Sequence, residues 1–140
     1  ENASHALVPR TLRPLAITVS IETNRQRYAP DEPVGFRVEF RNRLPIPISL
    51  TTRTPLRWTW AVDDVQEASY VDEPAPEEAS TFQFDRAERK RFTREWSQRF
   101  QMSPTEWELA EPGEHTVSVG INTTRGAERL SDSATFVIEE

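Results

Sequence analysis

The chain contains no cysteine. Disulfide staples, thiolate nucleophiles and cysteine-based zinc sites are therefore excluded. The redox compartment is left open, because a chain of 140 residues can fold without staples. Histidine is scarce too, with only His5 and His115, and Lys90 is the one lysine. There is no G-x-S-x-G, no H-E-x-x-H and no glycine-rich phosphate loop. Such an inventory points away from catalysis and calls for no cofactor. No apolar run approaches the roughly 20 residues of a membrane span. No stretch of the sequence reads as a signal peptide, and the chain, starting at Glu1, reads as processed or trimmed.

What is present suits one domain. Residues 1–14 carry no periodicity and read as an extended N-terminal arm, with the folded domain in residues 15–140. A chain of this length buries roughly 68% of the surface its unfolded form exposes. The net charge of −6 is unevenly spread: +4 over residues 25–60, −7 over 61–80, +3 over 81–100 and −6 over 101–140. Of 17 basic residues, 16 are arginine. This fits either a GC-rich genome or a high-salt proteome, where acids and arginine dominate. A net acidic chain is a poor non-specific partner for nucleic acid.

Alternation sets the architecture. Val34, Phe36, Val38 and Phe40 alternate with Gly35, Arg37, Glu39 and Arg41, the pattern of a strand with one buried face. The turn Pro30-Asp31-Glu32-Pro33 leads into it. Leu15, Ile17, Val19 and Ile21 predict an earlier strand, and Ile46, Ile48 and Leu50 a later one, which Pro45 and Pro47 place at an edge or a strand start. Leu56, Trp58, Trp60 and Val62 form a fourth. His115, Val117, Val119 and Ile121 form another, and Ala134, Phe136 and Ile138 the last. Residues 63–81 read as a long solvated loop with a short strand near Tyr70-Val71, and 122–132 as a polar loop. Phe82 and Phe84 form a short buried element, and Trp107 anchors the connection 104–113.

The segment 85–102 admits two readings. As a helix, Asp85 and Glu88 form a capping box, and Phe92, Trp96 and Phe100 share one face. As a strand, the same three aromatics share a face with Arg94 and Gln98, opposite a fully polar face. Local rules favour the helix and the flanking strands favour a sheet. We read a strand. About seven strands with regular turn signals then predict an all-β antiparallel sandwich.

Two motifs carry a family resemblance. Tyr28-Ala29-Pro30-Asp31-Glu32-Pro33-Val34 resembles the Y-x-P-G-E-x-V lead-in to the second strand of prokaryotic immunoglobulin-like domains, with Asp31 where glycine is usual. Pro112-Gly113-Glu114-His115-Thr116-Val117 resembles their P-G-x-Y-x-V lead-in to a late strand, with His115 in place of the corner tyrosine. Together with Asn42, Pro45-Ile46, Trp58, Trp60, Val62 and Trp96, the order resembles the intracellular proteinase inhibitor (BsuPI-like) group. The resemblance implies an immunoglobulin-like fold and, as an alternative function, proteinase inhibition.

Candidate surfaces follow from charge. Asp63, Asp64, Glu67, Asp72, Glu73, Glu77 and Glu78 form an acidic stretch without the D-x-D-x-D-G spacing of a calcium loop. Arg89, Arg91 and Arg94 lie in a basic stretch interleaved with aromatics, which suits a strand packed on a core better than base stacking. Acidic and basic stretches together suit a protein partner or self-association. Asn2 and Asn122 head glycosylation sequons, which, with two of only four asparagines so placed, favours an extracytoplasmic or cell-surface setting. The overall expectation is a non-enzymatic binding or assembly module, of the kind used as a surface or filament subunit.

Overall fold

The computed structural model of the protein describes residues 16–69, 78–123 and 130–140. The expected arm, the Tyr70-Val71 strand and most of the 122–132 loop lie outside the described residues. In chain order the strands are β1 (Ile17–Thr23), β2 (Arg27–Tyr28), β3 (Val34–Asn42), β4 (Ile48–Thr52), β5 (Trp58–Val62), β6 (Val65–Gln66), β7 (Ser80–Phe84), β8 (Arg89–Trp96), β9 (Arg99–Ser103), β10 (Glu106–Leu109), β11 (Gly113–Ile121) and β12 (Ser131–Ile138).

One layer is β1-β3-β8 and the facing layer is β2-β12-β11-β5-β6. All ladders are antiparallel except the short β2–β12 pair. The protein is thus an all-β, immunoglobulin-like sandwich. The alternating residues meet between the layers: Val34, Phe36, Val38 and Phe40 are buried on one side, and Val62, Val117, Val119, Ile121, Phe136 and Ile138 on the other. Edge-to-face ring pairs cross the interior, Phe36 on Trp60 at 5.2 Å and Phe40 on Trp58 at 5.4 Å.

The β3–β8 ladder continues, after a break, as the β4–β7 ladder. Asn42, fully buried, fills the break. Its amide donates to the carbonyls of Ile46 (2.7 Å) and Asp85 (3.0 Å), and its oxygen accepts from the Leu44 amide (3.0 Å). Pro45 and Pro47 fall inside this break, where no ladder donor is needed.

The segment 85–102 opens with a turn at 85–88 and is then strand, interrupted at Ser97-Gln98 into β8 and β9. The capping-box pair exists, but it closes a turn. Glu88 accepts the Asp85 amide at 2.8 Å and returns its own amide to the Asp85 carbonyl at 3.1 Å. Ala87 sits at φ 54°, in the left-handed region, which stops helix propagation. The Pro30 turn repeats the device: Glu32 accepts the Ala29 amide at 2.9 Å, and Asp31 sits at φ 64°. Substituting Ala87→Gly removes the left-handed strain of an L residue. We expect stabilisation of about 0.5–1 kcal/mol, read as a raised urea midpoint. An unchanged or lowered midpoint contradicts that account.

Two connections differ from expectation. Asp63 and Asp64 both have positive φ, 49° and 66°, and form the two-residue turn of a β5–β6 hairpin rather than the start of an open loop. Residues 104–113 contain β10, which pairs with β9. Trp107, expected to be an anchor, is 57% exposed there, because this hairpin projects from the sandwich instead of covering it.

Candidate functional site: the open edge of β8

The two edges of the β1-β3-β8 layer are treated differently. In β3 the odd residues bond to β1, as the flanking bonds from the Asn24 amide to Gly35 O and from the Arg43 amide to Ala16 O show. The even residues bond to β8, in phase with the bond from the Asn42 amide to Glu88 O. Outward N–H and C=O groups therefore belong to the odd residues of β1 and of β8. On β1 the outward Ile21 amide is covered, donating to the Asp132 carboxylate of β12 at 3.0 Å. On β8, Arg89, Arg91, Thr93 and Glu95 turn their backbone groups outward. No described strand pairs with them. The contact shown at this edge is internal: Arg94 Nη1 donates to Thr93 O at 2.8 Å.

Beside that edge lies an open groove of about 690 Å³ between β5 and β7–β8. Trp58, Trp60, Phe82 and Phe92 supply its apolar walls. Lys90 and Arg94 share the inward face of β8 with Phe92 and Trp96, so two cations point over aromatic rings at the rim. The Lys90 ammonium lies 5.3 Å from the Phe84 ring centre and 5.7 Å from that of Phe82. The Arg94 guanidinium lies 5.1 Å from Trp58 and 5.7 Å from Phe92. Each such contact contributes about 0.5–1 kcal/mol at a partly exposed position. Arg57 closes one end, its Nε donating to Thr81 O at 2.7 Å. Glu67 is the one carboxylate among the lining residues.

The residues singled out from sequence are distributed unequally. Arg94 enters the groove, whereas Arg91 lies on the outer face and pairs with Glu39 across the β3–β8 ladder at 2.7 Å. The hydrogen bond from Arg91 holds the Glu39 carboxyl below the usual range. Arg89 lies on the same outer face, opposite Arg41. The acids do not form one patch among the described residues. Asp63 is engaged inside the fold: its Oδ1 accepts the Thr116 amide at 2.9 Å and its Oδ2 meets His115 Nδ1 at 2.6 Å. Asp64 ends the hairpin turn, Glu67 lines the groove and Glu78 is exposed. Asp72, Glu73 and Glu77 lie outside the described residues, as does Asn2. Asn122 donates its side-chain amide to Leu56 O at 2.8 Å. Among the described residues no group of three or more His, Asp or Glu side chains converges as a metal site.

His115 meets Asp63 on one nitrogen and the Glu111 carbonyl on the other, both at 2.6 Å. Its ring stacks on Phe136 at 6.0 Å and sits 6.1 Å from Trp96. Strand parity already set Arg94 inward beside Phe92, but the groove was missed because its walls come from segments distant in sequence, residues 55–60, 67, 81–83 and 90–94. The open edge depends on which sheet β8 joins and where in it.

A sequence profile described as "Family of unknown function (DUF7974)" matches residues 5–139. The chain belongs to this family. No curated protein matches the DUF7974 chain in sequence. Among solved structures, it is similar to the CARDB domain of the PF1109 protein from Pyrococcus furiosus, solved in complex with di-metal ions. The identity is 11%, the coverage 88% of this chain and 92% of that one, and the TM-score 0.57. It is also similar to part of the alkylpurine DNA glycosylase AlkC of Pseudomonas fluorescens (19% identity, 89% of this chain and 31% of that one, TM-score 0.53). A third likeness is to part of a β-glucosidase from Listeria innocua (16% identity, 89% and 16%, TM-score 0.51). The chain therefore spans under a third of the glycosylase and about a sixth of the glucosidase. At these identities the likeness establishes the immunoglobulin-like sandwich and no finer grouping.

Proposed function

We propose that this chain is a non-enzymatic binding or assembly module that works through the open edge of β8. The observation that carries this reading is the row of outward backbone groups at Arg89, Arg91, Thr93 and Glu95, flanked by a groove with aromatic walls. A sheet edge of this kind recognises another chain by accepting one more strand. Backbone bonds then give affinity, and pockets for alternate side chains give selectivity. The histidine nearest to a carboxylate supports the non-enzymatic part. His115 is almost buried, and both its nitrogens are engaged by internal oxygens.

Thr93→Pro tests the reading. The Thr93 amide points away from β3, so proline removes an outward donor and leaves the β3–β8 ladder intact. The native chain is expected to bind extended, strand-forming peptides, with hydrogen-exchange protection appearing at the Arg91, Thr93 and Glu95 amides. Thr93→Pro is expected to fold as the native chain does and to lose that binding by about tenfold or more. Protection that appears elsewhere, or binding that survives the substitution, removes the edge from the proposal.

A further inference from the structure

Resting on the edge reading above, we infer that the strand accepted by β8 carries two acidic side chains four residues apart with an apolar side chain midway between them. The inference comes from the face that β8 turns to the groove. A strand added at this edge places its residues opposite Lys90, Phe92 and Arg94 in non-hydrogen-bonded pairs, where opposing side chains approach most closely. The residue opposite Phe92 meets an apolar wall formed by Phe92, Trp58 and Trp60. Those opposite Lys90 and Arg94 meet cations.

Charge decides what these outer two residues are. Arg57, Lys90 and Arg94 line the groove against one acid, Glu67. Lys90 has a carboxylate partner in Glu88 at 3.1 Å. Among the described residues Arg94 has ring faces and a carbonyl, and no carboxylate. An incoming strand covers both cations. Covering Arg94 with an apolar side chain leaves its charge buried without a counter-ion, which is strongly unfavourable, and Lys90 then has Glu88 alone. Covering them with carboxylates forms two partly desolvated ion pairs. The same feature rejects a second copy of β8: antiparallel self-pairing about Phe92 sets Lys90 against Arg94, like charge on like. The inward cations therefore block self-pairing at this edge and select an acidic partner at once.

The test uses three labelled peptides and the full chain, with binding read by fluorescence anisotropy. All are threonine-rich. The first carries two glutamates four apart with valine between, the second has the glutamates three apart, and the third has glutamines in place of glutamates. The first is expected to bind about tenfold more tightly than either of the others. Lys90→Glu with Arg94→Glu is expected to invert the preference toward a peptide with lysines at the same spacing. Because that double variant removes cation–ring contacts, exchange protection at Arg91 and Thr93 by the first peptide on the native chain is the second readout. Equal binding of the three peptides that is still lost in Thr93→Pro overturns the acidic selection and leaves edge docking standing. Peptide binding unaffected by Thr93→Pro overturns both. Displacement of the first peptide by oligothymidylate at equal concentration also overturns the inference, since it makes the cations a general anion site.

Discussion

Replacing Gln98 with alanine is expected to destabilise the protein by roughly 3–5 kcal/mol, the cost of removing three buried hydrogen bonds and leaving their partners dry. Gln98 is fully buried between β8 and β9. Its oxygen accepts the Asp31 amide at 2.9 Å, and its nitrogen donates to the carbonyls of Ala29 (2.8 Å) and Glu32 (2.7 Å). One side chain thus satisfies the inner surface of the Pro30 turn, while its own carbonyl accepts the Ala110 amide at 2.7 Å. Its backbone is left-handed, at φ 62°. This separates two contributions. Gln98→Gly should be less damaging than Gln98→Ala by about 1 kcal/mol, because glycine relieves the backbone while both lose the side-chain bonds. Gln98→Glu should be at least as damaging as alanine, since it sets a carboxylate oxygen against two carbonyls. Urea unfolding of the three variants checks the order. A loss below about 1 kcal/mol for alanine would show that water replaces the side chain, and the account would fail.

Asn42 carries the second large effect. Asn42→Ala is expected to cost about 3 kcal/mol, because the carbonyls of Ile46 and Asp85 and the Leu44 amide lose their shared partner in a buried break. Asn42→Asp keeps the shape and the Leu44 donor but sets its second carboxylate oxygen against the Ile46 and Asp85 carbonyls, so it should cost more than alanine. The loss should also be local. Asn42 joins the β3–β8 ladder to the β4–β7 ladder, so the β4 and β7 amides should exchange faster while those of β11 and β12 change less. Uniform acceleration across both layers would contradict the local role.

Asn42 and Gln98 also show where sequence reasoning stops. Asn42 reads as part of a turn, and Gln98 falls on the aromatic face of the strand reading with no partner named for its amide. What makes each one structural is the set of backbone groups that other segments bring to it, from 43 residues away for Asn42 and up to 69 for Gln98. The segment 85–102 teaches the converse. Glu88 does accept the Asp85 amide as in a capping box, yet its own amide goes to the Asp85 carbonyl and the left-handed Ala87 makes the motif a strand-to-strand turn. The local signal was correct about one bond and pointed to the wrong element. Trp107 read as an anchor by size alone, and the projecting β9–β10 hairpin leaves it without a surface to cover.

The alternation of Val34 to Phe40, of Trp58 to Val62 and of His115 to Ile121 determined the strands and their inner faces, because side-chain parity in a strand is a local property of the backbone. It also put Arg94 on the same face as Phe92 and Trp96. Tertiary structure alone decided that β8 ends its layer, that Asp132 covers the β1 edge and no described strand covers that of β8, and that the inward cations rim an aromatic groove. The reason is physical. Which strand lies at an edge depends on pairing between distant segments, and no periodicity within a strand records its neighbours.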